Sequence, residues 1–187
     1  MSKVVVWNLV TLDGRFEGTE KWDLAFHERV WGPDFEKLSE QFMADAELLV
    51  FGRVTYEGMR DYWTTGGEEG PVKDFMNAKP KLVASRSLEG SDWTATEVTD
   101  DIVGTLADRK RTGSGTIYVF GSAELCDSLF AAGVIDEVVL GVVPVVLGAG
   151  TPFFKPGRHV DLRLVDARPT DKGGAILRYG VGAAAAA

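Results

Sequence analysis

Three short segments of this 187-residue chain have the make-up of an anion cradle. They are Phe51-Gly52-Arg53, with Thr55 just behind; Ala84-Ser85-Arg86-Ser87; and Phe120-Gly121-Ser122-Ala123. Each follows an apolar run that reads as a buried strand. Glycine lets the backbone approach a ligand closely. A helix that starts at such a point offers free N–H groups to an anion. Serine and arginine add donors, and arginine can grip a phosphate through two parallel bonds. In open α/β sheets, ligands bind beyond the carboxyl ends of the strands. Any one of these segments also serves as a plain strand-to-helix turn. Three of them in one small domain point to a dinucleotide or another phosphorylated ligand.

Other chemistries find little support. Gly113-Ser114-Gly115 begins like a dinucleotide fingerprint, but it precedes a strand and lacks the third glycine. There is no GxxxxGK[ST] loop and no Gly-x-Ser-x-Gly elbow. Two histidines, His27 and His159, and one cysteine, Cys126, are too few for a zinc site, so no metal is expected. His27 reads as a loop or surface histidine, and Cys126 as a packed helix residue. Trp22 and Trp31 lie in an irregular stretch after the Asp13-Gly14 turn. A flat aromatic there either walls a planar heterocycle or covers a sheet edge.

The bulk numbers limit the partners. The chain carries 20 basic and 28 acidic residues, a net charge of −8, which argues against nucleic acid or an anionic membrane as partner. A lone cysteine permits no internal disulfide and suits a reducing compartment. No apolar run has the length of a membrane span, and the amino-terminal run is too short for a signal-peptide core. The cytoplasm is the expected location.

The elements that must position the three segments follow from apolar patterning. Strands are expected at Val4–Val10, Leu48–Phe51, Lys81–Ala84, Trp93–Val98 and Thr116–Phe120. Helices are expected from Pro33 to about Ala46, over Thr55–Tyr62, Val72–Ala78, Asp100–Lys110 and Ala123–Ala132. Residues 15–33 read as irregular and Thr64–Gly70 as a surface loop. Val134–Leu147 holds two apolar runs around Pro144; Val138–Leu147 suits an interior strand or an interface. Leu162–Val165 and Ala175–Val181 pair through the Asp171-Lys172-Gly173-Gly174 turn. Strands alternate with helices early and run consecutively late. That order predicts an α/β fold with a mostly parallel mixed sheet and antiparallel C-terminal strands. Residues 1–182 read as a single domain, and Ala183–Ala187 as a frayed tail.

Several of these pieces, taken in order, resemble the dihydrofolate reductase-like superfamily. The resemblance lies closest to the reductase domain of the bifunctional riboflavin-biosynthesis deaminase-reductase. It covers roughly residues 3–181. It rests on Thr11-Leu12-Asp13-Gly14, Leu49 to Glu57, Lys81 to Ser87, Val119 to Leu125, and Gly133 to Glu137 leading to Pro144 to Gly150. The resemblance implies a three-layer α/β/α fold and NADPH as cofactor. Gly52, Arg53 and Thr55 would then face the pyrophosphate, and Ser85, Arg86 and Ser87 the adenosine 2′-phosphate. Gly121, Ser122, Ala123, Glu124 and Leu125 would line the pyrophosphate and nicotinamide side. Relatives often carry two glycines where this chain has Gly121-Ser122.

On the substrate side the resemblance implies a small heterocyclic or phosphoribosyl molecule, reduced in the manner of 5-amino-6-(5-phosphoribosylamino)uracil. Asp13 belongs to the shared Leu-Asp-Gly turn and either contacts substrate or only forms the turn. Glu36 matches the carboxylate with which folate reductases hold a pterin, although Glu40 stands where an apolar neighbour is expected; a solvated helix residue is the other reading. Asp13, Trp22 and Glu36 are thus the substrate-side candidates, and no catalytic acid is evident. The deaminase zinc signature is absent. A pterin reductase and a non-catalytic NADP-binding protein remain as alternatives. Relatives of this branch tend to be dimers, so a homodimer is expected.

Overall fold

The computed structural model describes residues 1–67 and 69–182. The alanine run 183–187, expected as a frayed tail, lies outside the described residues. Among the described residues, ten strands and five α-helices follow one another in the alternation the patterning predicts. In chain order they are β1 (Lys3–Thr11), β2 (Arg15–Glu17), α1 (Pro33–Asp45), β3 (Ala46–Gly52), α2 (Arg53–Asp61), α3 (Pro71–Ala78), β4 (Lys81–Ala84), β5 (Thr96–Thr99), α4 (Ile102–Thr112), β6 (Thr116–Phe120), α5 (Ala123–Ala131), β7 (Glu137–Val143), β8 (Thr151–Pro152), β9 (Leu162–Pro169) and β10 (Ala175–Val181).

Eight strands form one sheet in the order β5-β4-β3-β6-β1-β7-β10-β9. The first six run parallel, and β10 and β9 add antiparallel at one edge. β2 and β8 pair separately as a small ribbon.

Side chains alternate across the strands, so consecutive apolar residues enter different layers. Val4, Val6 and Val10 of β1, with Val50 and Val119, pack under α4 and α5 against Leu106, Cys126 and Leu129. Val5 and Leu9, with Leu49, Phe51 and Tyr118, pack under α1, α2 and α3 against Phe35, Leu38, Phe42, Tyr56 and Met76. Helices on both faces explain why the parallel strands read as unbroken hydrophobic runs. The three-layer α/β/α expectation is met. Cys126 is fully buried, and burial pushes its thiol up to about 12.

Several boundaries differ from the sequence reading. Residues 15–33, expected as irregular, hold β2 and a 3-10 turn at Ala25–Arg29. The Thr64–Gly70 loop begins late, because α2 continues as a π turn over Tyr62–Gly66. The strand expected at Trp93–Val98 is Thr96–Thr99; Trp93 is instead a buried loop residue packed on Phe51 and Tyr56. Only the first apolar run around Pro144 is a strand, interior and paired on both sides. Val146 and Leu147 beyond it are 65% and 39% exposed. The hairpin strand after Leu162 runs to Pro169 and forms an exposed edge. Among the described residues no helix is long and apolar enough to cross a membrane.

Candidate functional site

The parallel register brings the carboxyl ends of β3, β4 and β6 to one edge of the sheet. A cleft of about 1620 Å³ opens there. This exceeds the 300–1000 Å³ common for small-molecule pockets and leaves room for two ligands side by side. All eleven residues predicted for the cofactor line it, from Gly52, Arg53 and Thr55 through Ser85, Arg86 and Ser87 to Gly121, Ser122, Ala123, Glu124 and Leu125.

Two helix starts face this cleft. α2 begins directly after β3 with Gly52 as its cap, and α5 begins after β6 with Ser122 as its cap; neither receives a side-chain cap. By contrast, the Asp101 carboxylate caps α4 by accepting from the Gly104 N–H. The first N–H groups of α2 and α5 therefore remain available to an anion, with the positive ends of both helix dipoles behind them.

The two turns interlock. A Cβ on Gly52 would overlap Ser122 Oγ, and a Cβ on Gly121 would lie 2.6 Å from Thr55 Cγ2. Gly121 has φ +61, and Ser122 beside it has φ 57. Two consecutive left-handed residues turn the chain sharply into α5; glycine adopts this freely, whereas serine carries strain. The Gly121 N–H donates to Asn8 Oδ1 at 2.8 Å, so it is already engaged inside the protein. The space its missing side chain leaves is taken by Thr55, so the packing of the two turns itself calls for glycine at 121, which also lines the cleft.

The side chains divide into committed and free. Arg53 bonds Glu57 one turn along α2 at 2.9 Å. The Glu124 carboxylate is bound by Lys155. The Ser85 hydroxyl accepts from the Ser87 and Leu88 N–H groups and closes the turn after β4. Arg86 is exposed, with no ion pair or hydrogen bond among the described residues. It is the guanidinium at this end of the cleft that is free for a phosphate.

The other half lies between β1, α1, the 3-10 turn and the π turn. Trp22 and Glu36 line it. Trp22 has φ 65, its N–H donates to Glu17 Oε1, and its indole lies on Gly58 so closely that any side chain there would overlap it. Trp22 thus forms a wall of the cleft pressed against α2. Trp31, the other aromatic of that stretch, also lines the cleft and stacks on Phe35. Glu36 is exposed beside Glu40, one turn along the same face of α1, and both line the cleft.

Asp13 is not among the lining residues. Its carboxylate accepts from Thr11 Oγ1 and from the Leu147 and Gly148 N–H groups, tying the turn after β1 to the 147–148 loop. The Thr11 hydroxyl, foremost, and the two loop amides hold its carboxyl far below the usual carboxylate range. Of the two roles left open for Asp13, the geometry gives it the turn.

His27, expected as a loop or surface histidine, sits in the short 3-10 turn and lines the cleft half-buried, with Nε2 shielded from water and without a partner among the described residues. Burial pulls its pKa down to about 4, so the ring is neutral at neutral pH. Trp7 Nε1, Asn8 Nδ2 and Trp63 Nε1 are likewise buried without partners among the described residues, and all belong to lining residues. Nothing in sequence spacing announces them: Trp7 and Asn8 sit inside a strand that reads as core. Among the described residues no group of three or more His, Cys, Asp or Glu could hold a metal ion.

The family model of the RibD C-terminal domain matches residues 2–176. Over 184 residues the chain is 25% identical to the uncharacterized protein YyaP of Bacillus subtilis (strain 168), covering 95% of this chain and 94% of that one. Among solved structures it is similar to the Thermotoga maritima diaminohydroxyphosphoribosylaminopyrimidine deaminase/5-amino-6-(5-phosphoribosylamino)uracil reductase, with TM-score 0.66 and 14% identity over 97% of this chain and 57% of that one. It is also similar to dihydrofolate reductase from Enterococcus faecalis complexed with NADP(H), with TM-score 0.62 and 16% identity over 96% of both chains. These structural likenesses carry the fold, which is dihydrofolate reductase-like.

Proposed function

Because the chain belongs to the RibD C-terminal domain family, we propose that it is an NADPH-dependent oxidoreductase that reduces a small heterocyclic substrate. One observation carries the reading: two uncapped helix starts and a free arginine converge on one cleft at the carboxyl ends of parallel strands. The donor set suits a pyridine dinucleotide phosphate. The amides that open α2 and α5 would hold the diphosphate. Arg86 and Ser87 would hold the additional phosphate, where a guanidinium's paired donors have most effect. The orphaned Asn8 Nδ2, next to the bond from Gly121, calls for an acceptor such as a carboxamide oxygen. Bound there, the reduced nicotinamide supplies hydride.

The protein's own part is to position and to exclude water. Trp22 on Gly58 and the aromatic floor of Trp7, Phe42 and Phe120 make the substrate half of the cleft flat-walled and largely apolar. Neutral His27 could hydrogen-bond a substrate there, and its depressed pKa leaves it without a proton to give at neutral pH. The Thermotoga relative is named for a uracil reductase, and this chain spans 57% of it. That relationship supports a reductase of the riboflavin-pathway type.

The exposed edge strand β9, with Leu164 and Val165 54% and 51% exposed, supports a homodimer. Light scattering on the purified chain tests that point. A buried free cysteine suits the reducing cytoplasm. The functional test is a titration of tryptophan fluorescence with NADPH and NADH. Saturable quenching with preference for NADPH supports the reading, and the absence of saturable quenching by either dinucleotide refutes it.

A further inference from the structure

The two halves of the cleft differ in charge. The end beneath α2 and α5 has two helix starts and the free Arg86, with Asp100 beside them, while Arg53 is paired with Glu57 and Glu124 with Lys155. The opposite half has Glu28, Glu36 and Glu40, none with a hydrogen bond or ion pair among the described residues. The cation lining that half is Lys73, and it is bound to Glu69 at 2.5 Å and to the Gly67 carbonyl.

A second observation points to a ligand. Five buried side-chain polar atoms lack partners among the described residues, and four of them belong to residues lining this cleft. Asn8 is only 3% exposed, and its Nδ2 is unpartnered while its Oδ1 is bonded. Trp7 Nε1, Trp63 Nε1 and His27 Nε2 complete the set. A buried unpaired N–H is costly, so such groups are kept where something else satisfies them. In the NADPH reading Asn8 Nδ2 and Trp7 Nε1 lie toward the nicotinamide; Trp63 Nε1 and His27 Nε2 remain for the substrate, and Trp63 Nε1, an obligate donor, asks for a carbonyl or ring-nitrogen acceptor. The surrounding indoles offer flat faces for stacking.

We infer that the substrate half takes a planar heterocycle bearing acceptor atoms and no phosphate or other anionic group. This rests on the NADPH reading, which fills the cationic end and leaves the acidic end to the substrate. A phosphate ester in that half would meet carboxylates with no free cation to offset them, and like charges brought together in a site discriminate strongly.

The test uses 5-amino-6-(ribosylamino)uracil and its 5′-phosphate, with uridine and its 5′-monophosphate as a second pair. Each is titrated into the NADP-saturated protein by calorimetry, and NADPH oxidation is followed with the first pair. The unphosphorylated member of a pair is expected to bind at least about tenfold more tightly than its phosphate. The double variant Glu36→Gln, Glu40→Gln should shrink that ratio several-fold; both residues are exposed on α1, so the fold is not at stake. Preference for the phosphate, equal binding of both members, failure of every unphosphorylated compound to bind, or a ratio untouched by the double variant would each overturn the inference. Loss of the cofactor reading would show separately, as a failure of the protein to bind NADPH before any substrate is added.

Discussion

Gly121 is seated on Thr55: a Cβ on the glycine would come within 2.6 Å of Thr55 Cγ2. The turn leaving β6 and the first turn of α2 are thus one unit, and the two helix starts keep a fixed spacing.

The first prediction follows from that contact. Gly121→Ala combines a left-handed backbone penalty of about 1–2 kcal/mol with overpacking against Thr55 of about 1–3 kcal/mol. In urea denaturation the variant is expected to lose about 3 kcal/mol. Adding Thr55→Ser removes the clashing methyl and should recover the packing share, leaving the backbone share. A double variant no better than Gly121→Ala would mean the contact carries no weight. A larger residue at Gly121 would injure the fold as well as the site, so it cannot serve as a clean probe of ligand binding.

Ser122 offers a cleaner probe. Its φ of 57 is a strained choice for a side-chain-bearing residue, and it makes no capping bond. Ser122→Gly should relieve that strain and raise stability by about 0.5–1 kcal/mol, net of the added freedom of the unfolded chain. NADPH affinity should be kept, because the amides that open α5 are unchanged. A loss of stability in the glycine variant would show that the hydroxyl has a role the present contacts do not reveal.

Arg86 separates the two dinucleotides. It is the unpaired guanidinium at the end of β4, and Arg53 is bound to Glu57. Arg86→Ala should weaken NADPH at least about tenfold, as expected for loss of a charge-assisted bond, and leave NADH affinity nearly unchanged. Equal losses for the two would place Arg86 on the shared part of the dinucleotide.

His27 gives a pH signature. Its pKa falls from 6.5 to about 4 on folding, so the folded state disfavours the protonated ring. The stability contributed by the neutral ring is fully present above pH 6.5 and is lost as pH falls toward 4. Between pH 7 and pH 5 the loss should be about 2 kcal/mol. His27→Phe should flatten this window in urea melts taken at each pH. A wild-type chain equally stable at pH 5 and pH 7 would contradict the buried neutral ring.

The parallel strands and their cofactor ends were legible because both rest on local chemistry. Valine-rich runs such as Val4-Val5-Val6 can hardly be anything but buried strand, and glycine or serine after such a run marks a turn at the sheet's carboxyl edge. What stayed hidden depends on distant partners. The β2–β8 ribbon pairs residues more than 130 positions apart, and no local pattern encodes it. The 3-10 turn that carries His27 has too few residues for a period to show. Asp13 looked equally suited to substrate or turn until the Leu147 and Gly148 amides were seen to reach it. Val146 and Leu147 have strand composition, but they follow Pro144, which cannot donate to a ladder, and they end up exposed.

The central claim is that one cleft receives NADPH across the starts of α2 and α5. A crystal of this chain soaked with NADPH tests it most directly. The account predicts the diphosphate against the backbone amides that follow Gly52 and Ser122, and the 2′-phosphate beside Arg86 and Ser87. It predicts the nicotinamide toward Asn8 and Trp7. A dinucleotide bound elsewhere, or none at saturating concentration, would contradict it.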